Sequence, residues 1–206
     1  MDKQVLAAMA RWPEVPDVYG WLSLSERGEW RLHPQGDALS AASDGVKPGS
    51  PGEPITSPPI LQFINRNYAA DAAGQWYFQN GPQRVYVRLD GAPHILHTTN
   101  TESGLALHNQ AAQCITDISG WWLDQDGKLY AQTNLGPGLI AGRDLLSLLN
   151  LLLLPDGTSL LQELEQQPES PCMVQWSQQN PPALLQHCQS ADIESILGFV
   201  RCPRFE

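Results

Sequence analysis

Residues 76–89, Trp-Tyr-Phe-Gln-Asn-Gly-Pro-Gln-Arg-Val-Tyr-Val-Arg-Leu, decide the fold of the first half of the chain. Aromatic and β-branched residues lie on both sides of Asn80-Gly81, and alternate with polar ones after it. Asn-Gly is the strongest short signal for a hairpin turn. The stretch therefore predicts two antiparallel strands joined by a tight turn.

A helix and another hairpin precede this one. Apolar residues at positions 60, 61, 63, 64 and 68 have helical spacing, and the prolines just before them suit a first helical turn. Further upstream, residues 18–25 and 29–32 flank a Glu-Arg-Gly turn and predict a hairpin. Residues 34–57 are rich in Pro and Gly and predict a flexible loop.

The second half of the chain repeats this layout about 100 positions later. It predicts hairpins over 118–132 and 173–188, with helices over 142–153 and 159–166 between them and a Gly-Pro-Gly loop at 136–138. Identical residues recur at matching places: Gly20 with Gly120, Trp21 with Trp121, Trp76 with Trp176, and Asn80 with Asn180. A duplicated supersecondary unit explains this pattern, and so does coincidence, because hairpins share turn residues.

These observations predict an α+β fold of mostly antiparallel sheet with a few helices, built as a tandem pseudo-repeat of hairpin–helix–hairpin units. We expect an N-terminal helix or arm over 1–17, a first half over 18–110 that contains shorter strands at 94–99 and 104–108, and a second half over 111–206. The two halves are expected to form one compact unit.

Composition excludes several classes of partner. The formal net charge is −10 and no block of Lys or Arg occurs, so the basic stripe that nucleic-acid binding requires is missing. The one long apolar run, 145–154, is too short for a membrane span of ~20 residues. Residues 1–11 lack the apolar core of a signal peptide. We expect a cytoplasmic protein that binds neither nucleic acid nor membranes.

The densest polar cluster lies where the first helix ends and the next hairpin turns. It contains two arginines and several amide side chains that suit a carboxylate or phosphate ligand. These candidate ligand-binding residues are Asn65, Arg66, Asn67, Tyr68, Gln79, Asn80, Gln83 and Arg84. A structural alternative stays open, since the asparagines can cap the helix or shape the turn, and Arg66 can hold an internal carboxylate such as Asp71 or Asp90.

Histidine and cysteine offer a weaker candidate. His94 and His97 are three apart on a predicted strand and should face opposite sides, which is poor for chelation. Cys114 lies nearby and could join them, or His108, in a zinc site or a Cys–His pair, but the spacing matches no metal motif. The four cysteines stand singly and predict reduced thiols. We expect no metal and no cofactor.

Adjacent Trp121 and Trp122 must face opposite sides of a strand. One of the two rings should therefore be covered by a further layer, a ligand or a partner. A homodimer formed through a hydrophobic strand face is one such arrangement.

The string Phe-Ile-Asn-Arg-Asn-Tyr at 63–68, followed by Trp-Tyr-Phe-Gln-Asn-Gly-Pro-Gln-Arg-Val-Tyr-Val at 76–87, resembles the signature of an uncharacterised proteobacterial family of soluble proteins. Asp-Val-Tyr-Gly-Trp-Leu at 17–22 and Gly-Pro-Gly-Leu at 136–139 extend the resemblance over most of the chain. The layout is loosely similar to a second uncharacterised family of repeated hairpin–helix motifs, for which a signalling role has been suggested. Neither resemblance implies an activity or catalytic residues.

The function that these patterns favour is a non-enzymatic ligand-binding, regulatory or protein-interaction module, with signalling as one such role. Its partner would be a small anionic ligand or a protein. The alternative is a hydrolase-like enzyme whose site lies between the two halves and recruits His94, His97 or Cys114.

Overall fold

The computed structural model describes residues 1–40, 50–101, 104–176 and 180–205. Residues 41–49, in the middle of the expected 34–57 loop, and 177–179, within the expected second-half turn, lie outside the described residues. The described chain is an α+β protein with five helices and thirteen strands. None of those helices has the length and apolar character that crossing a membrane requires.

Internal contacts divide the chain into two units. Unit 1 comprises Met1–Gly91 together with Gly198–Glu206, and unit 2 comprises Ala92–Leu197.

Unit 1 contains two helices and six strands in its described part. In chain order they are α1 (Lys3–Arg11), β1 (Val18–Leu24), β2 (Trp30–Leu32), β3 (Glu53–Pro54), α2 (Pro58–Arg66), β4 (Tyr68–Ala70), β5 (Trp76–Asn80) and β6 (Gln83–Leu89). The strands form one sheet in the order β3-β2-β1-β6-β5-β4. All neighbours are antiparallel except the central pair β1 and β6, which run parallel. Leu24 and Leu89 face each other across that pair, and both are fully buried.

The remaining elements belong to unit 2. They are β7 (His94–Thr101), β8 (Gly104–His108), β9 (Ile118–Asp124), β10 (Leu129–Thr133), β11 (Gly136–Ile140), α3 (Gly142–Leu149), α4 (Leu160–Gln166), β12 (Cys172–Val174), β13 (Ala183–Cys188) and α5 (Ile193–Leu197). Their sheet has the order β12-β13-β9-β10-β11-β7-β8. Its core gathers around Trp121, Leu129, Leu148, Leu160 and Leu185, all essentially inaccessible to solvent.

The two sheets share one arrangement of strands. In each, two antiparallel hairpins lie side by side, and their adjoining inner strands run parallel. The order is β2-β1-β6-β5 in unit 1 and β10-β9-β13-β12 in unit 2. The first turns also match. Ser25 Oγ accepts the amide hydrogens of residues 27 and 29, and Asp124 Oδ1 accepts those of residues 126 and 128. The tandem pseudo-repeat is thus visible as a repeated topology.

Several aligned positions differ from those expected. Because Ser25 corresponds to Asp124, buried Trp121 matches buried Leu22 rather than Trp21, which is 44% exposed. In the second hairpin of each unit, a glutamine backbone N–H donates to a backbone carbonyl that follows a helix: Gln79 to Asn67 after α2, and Gln175 to Leu153 after α3. Gln175 therefore takes the place of Gln79, and the expected match of Trp76 with Trp176 is wrong by four positions.

Residues 136–138 form the start of strand β11, so the predicted loop is wrong. Pro137 pairs with Gln132 of β10, and Gly138 lies between β10 and His94 of β7. A Cβ at Gly138 would lie 2.7 Å from Leu96 Cδ1, so a larger residue there would require the buried Leu96 side chain to move. The composition of residues 136–138 predicted a loop because Gly and Pro are common in loops.

Strands β7 and β8 were expected in the first half. The structure pairs β7 in parallel with β11, which places both strands in the second sheet. Helix α2 is shorter than its pattern predicts and ends at Arg66, because Tyr68 begins strand β4.

Candidate functional site

The eight polar candidates separate into two groups, both in unit 1. The first group holds the N-terminus of the chain. Asn65 Oδ1 accepts a 2.8 Å hydrogen bond from Trp30 Nε1, and Arg66 forms an ion pair with Asp2 at 3.1 Å. Buried Asn67 accepts the backbone N–H of Asp2 through Oδ1 and donates to Phe63 O. Arg66 and Asn67 thus connect the end of α2 to the start of α1, and Asn65 connects α2 to β2.

The ion pair with Arg66 also affects the acidity of Asp2. The hydrogen bond from Arg66 is the main cause that lowers the pKa of the Asp2 carboxyl. Asp71 and Asp90, the carboxylates that the sequence offered to Arg66, accept instead from Tyr86 Oη and Arg88 Nε. Arg66 thus holds an internal carboxylate, although a different one.

Tyr68 belongs to the interior of the same group. Its ring meets Trp30 edge-on at 5.0 Å and packs against Trp76 at 4.8 Å. Burial raises the pKa of its hydroxyl well above the ordinary value. A half-buried tyrosine whose hydroxyl is enclosed, lying between two indoles, supports packing rather than ligand exchange.

The second group lies on the hairpin β5–β6. Gln79 and Arg84 are directly opposite each other across the two strands, so their side chains share one face. Gln83 Nε2 donates to Pro16 O at 3.1 Å, which attaches the segment after α1 to the hairpin. Asn80 is exposed at the turn.

Arg84 is held by aromatic rings. Its guanidinium lies over the Tyr77 ring at 4.7 Å, and Tyr86 stacks in parallel on Tyr19 at 4.6 Å. Burial opposes the charge of Arg84, but a hydrogen bond with Tyr86 and the nearby tyrosines keep its pKa above the ordinary value. The cation is therefore fixed in position and permanently charged.

Gln79 and Arg84 line a cavity of about 560 Å³. Its other walls are Met9 of α1, Pro82 of the turn, and the whole segment from Trp12 to Asp17. Small-molecule sites have volumes of ~300–1,000 Å³. The cavity therefore has the size of a ligand site.

Gln79 carries an unsatisfied hydrogen-bond acceptor. Its side chain is fully buried, and Nε2 donates to Gly81 O at 2.9 Å. That bond fixes the orientation of the amide, because the carbonyl of Gly81 can only accept. Oε1 has no hydrogen-bond partner in the described part of the chain. A buried acceptor of this kind costs ~1–3 kcal/mol unless something donates to it.

Sequence reasoning missed the segment that completes this cavity. Trp12, Glu14 and Asp17 belong to residues 1–17, which composition identified only as a helix or arm. The signal was the string Trp-Pro-Glu-Val-Pro-Asp at 12–17, where prolines stiffen an exposed aromatic and two carboxylates. Its placement beside Arg84 depends on long-range packing that no local pattern encodes.

His94, in unit 2, is a structural residue. Its Nε2 lies 2.9 Å from Leu135 O and its Nδ1 lies 3.2 Å from Asn109 Nδ2. The carbonyl can only accept, so Nε2 carries the proton and Nδ1 accepts from the amide. Burial lowers the pKa of His94 to about 4. Both ring nitrogens are thus engaged inside the protein.

His97 and His108 lie opposite each other on β7 and β8, with ring centroids 5.9 Å apart. His97 Nδ1 is 3.0 Å from Asp144 Oδ2, and Thr98 Oγ1 donates to the other carboxylate oxygen at 3.2 Å. A His–carboxylate pair is part of many catalytic sites, but the residue that faces this pair is a second histidine rather than a nucleophile. In the described ranges, no three His, Cys, Asp or Glu side chains are grouped to hold a metal ion.

The fold and the cavity together define an α+β protein with one repeated topology and a ligand-sized cavity beside its N-terminal segment. The chain belongs to the DUF2944 family, described as "Protein of unknown function (DUF2946)", whose family model matches residues 1–204. This is an uncharacterised domain family that spans the chain, as the resemblance in the sequence implied.

Two solved structures are similar to this chain at low identity. A DUF1285 family protein from Silicibacter pomeroyi DSS-3 is 14% identical, with a TM-score of 0.44 over 72% of this chain and 84% of that one. A DUF1285 family protein from Shewanella baltica OS155 is 11% identical, with a TM-score of 0.38 over 61% and 87%. No curated protein matches the chain.

Proposed function

We propose that this protein is a non-enzymatic binding module whose small-molecule ligand occupies the cavity lined by Gln79 and Arg84. One observation carries the proposal: Gln79 is fully buried, its Oε1 accepts no hydrogen bond from the described residues, and the residue lines a ligand-sized cavity. Folded proteins rarely leave such a group unpaired, and a functional site is one reason for the cost.

Arg84 supplies the second contact of the proposed site. A guanidinium held over Tyr77 presents a fixed cation to a carboxylate or phosphate, which it binds in bidentate geometry. Gln79 would accept a hydrogen bond from the same ligand. The candidates Asn65, Arg66, Asn67 and Tyr68 are then architectural. Arg66 and Asn67 anchor the N-terminus, Asn65 accepts from Trp30, and Tyr68 packs between rings.

The proposal is tested by titrating ¹⁵N-labelled protein with succinate, inorganic phosphate and L-glutamine at millimolar concentration. We expect at least one of these to shift the side-chain amide of Gln79 and the indole N–H of Trp12, because both line the cavity. Shifts confined to other parts of the chain, or no shift at Gln79 with any of these three compounds or with the leucine series described below, contradict the proposed site.

Gln79→Met and Arg84→Ala separate binding from stability. Losing a charge-assisted hydrogen bond worth ~1.5–3 kcal/mol should weaken the affinity of Arg84→Ala for the responding compound about 10- to 100-fold. Gln79→Met should lose binding while its free energy of unfolding stays within ~1 kcal/mol of wild type, since it removes an unsatisfied acceptor along with one bond to Gly81.

Arg27→Ala is the matched control, because Arg27 is an exposed arginine on the β1–β2 turn of the same unit. It should change neither affinity nor stability measurably. If Gln79→Met destabilises the protein by several kcal/mol and binding is unaffected by either cavity variant, Gln79 is a structural residue and the proposal fails.

A further inference from the structure

The charges around the cavity identify the class of ligand more closely, on the basis of the proposed function. Among the described residues that line the cavity, Arg84 is the one Lys or Arg. Glu14 and Asp17 belong to the segment that forms the opposite wall. A purely anionic ligand would meet one cation and two carboxylates. The protein as a whole, with a net charge of −10, also repels anions. A simple dianion is therefore a poor match.

We propose that the ligand is zwitterionic, an α-amino acid with an apolar side chain. Its carboxylate would pair with the guanidinium of Arg84, and its ammonium would lie toward Glu14 and Asp17. An ammonium or amide N–H is also the donor that Gln79 Oε1 lacks.

The rest of the lining suits an apolar side chain. Met9, Val15 and the ring of Trp12 contribute to the walls, and the prolines at 13, 16 and 82 add rigid apolar surface. Pro16 is fixed to the hairpin because its carbonyl accepts from Gln83. The opposing wall is thus stiffened before a ligand arrives, which reduces the entropy lost on binding.

The experiment compares three compounds that share one side chain. L-leucine carries both charges, N-acetyl-L-leucine lacks the ammonium, and 3-methylbutylamine lacks the carboxylate. Each is titrated into the full chain by calorimetry and by ¹⁵N NMR. We expect L-leucine to bind at the cavity at least about tenfold more tightly than either of the other two, since each loses a charged contact.

Variants of the acidic wall give a second readout. Glu14→Gln and Asp17→Asn together should weaken L-leucine about two- to tenfold, a modest effect because Glu14 is exposed, Asp17 is half-buried and both are screened. N-acetyl-L-leucine, an anion that these carboxylates repel, should not bind more weakly to the double variant. Glu53→Gln, an exposed glutamate on β3, is the control and should affect neither compound.

The outcomes distinguish this inference from the proposed function. If N-acetyl-L-leucine or 3-methylbutylamine binds at the cavity as tightly as L-leucine, or if L-leucine does not bind, the zwitterion inference is overturned. The proposed function would survive that result if succinate or phosphate still shifts Gln79 through Arg84. If no compound shifts Gln79, both fail.

Discussion

Replacing Gly74 with alanine is expected to lower the free energy of unfolding by about 2–5 kcal/mol, through backbone strain and overpacking. Gly74 has a φ of +77°, which side-chain-bearing residues rarely adopt. A Cβ there would lie 2.5 Å from the carbonyl oxygen of Gly198 and 3.3 Å from Phe199 Cα. Both neighbours are backbone atoms, so no side-chain rotation relieves the contact.

The clash would separate two segments of unit 1 that are far apart in sequence. Val200 N donates to Gly74 O at 3.0 Å, and Gln75 forms a parallel bridge with Val200. Moving the backbone to admit a methyl group breaks this connection. In Gly74→Ala, we therefore expect the backbone amides of residues 198–201 to lose more hydrogen-exchange protection than the other amides of unit 1.

Gly81→Ala is the control for conformational strain alone. Gly81 has a φ of +61°, and a Cβ added there would meet none of the described residues within 4 Å. Its substitution should cost only ~1 kcal/mol. Urea unfolding of both variants checks the prediction, and equal destabilisation by the two would show that the approach of Gly198 is not what matters at Gly74.

Local signals in the sequence predict the local structure well. The hairpin predicted at Asn80-Gly81 does form, although its two turn residues are Gly81 and Pro82 because Asn80 still pairs with Gln83. The prolines at 58 and 59 do begin α2. These features depend on neighbours within a few residues, where turn chemistry and helix capping act. The repeat is also readable, because the same short-range signals occur twice.

Register and sheet membership are harder to read. The positional match between the halves slips at each loop, as the correspondence of Gln79 with Gln175 shows. Strand β11 was missed because Gly and Pro usually indicate a loop. The small Gly138 instead makes room for Leu96 of the neighbouring strand β7, a contact that the local sequence does not show. Such facts are set by contacts between distant segments.

The candidate site illustrates the same limit. Sequence proximity grouped Arg66 with Arg84, but the two arginines have different partners, since one meets Asp2 and the other lies over Tyr77. Which arginine is available to a ligand depends on where the N-terminal segment packs. The cavity exists because residues 12–17 return across the hairpin, and only the three-dimensional structure displays that.

His94 should make the protein lose stability in mild acid. Burial lowers its pKa from 6.5 to about 4 in the folded state, while the unfolded chain keeps the ordinary value near 6.5. Above pH 6.5 both states are neutral and no penalty arises. Between pH 6.5 and about 4 the unfolded state binds a proton that the folded state refuses, so stability falls as the pH falls.

The expected loss is about 3 kcal/mol, since each unit of pKa difference corresponds to ~1.4 kcal/mol. The physical cause is the enclosed ring. Protonating Nδ1 would direct an N–H at the amide of Asn109, which already donates to that nitrogen at 3.2 Å. The side chain is only 5% exposed, so an imidazolium there would not be solvated by water.

Wild type and His94→Gln, unfolded in urea at pH 7 and pH 4, isolate this contribution. Glutamine can still donate to Leu135 O and accept from Asn109, but it does not titrate. His33 and His108, whose pKa values are also lowered chiefly by burial, are present in both proteins. Between pH 7 and pH 4, the free energy of unfolding should therefore fall by about 3 kcal/mol less in the variant than in wild type. An identical pH dependence in both proteins, or an NMR titration of His94 near pH 6.5, would show that the ring is not enclosed as described.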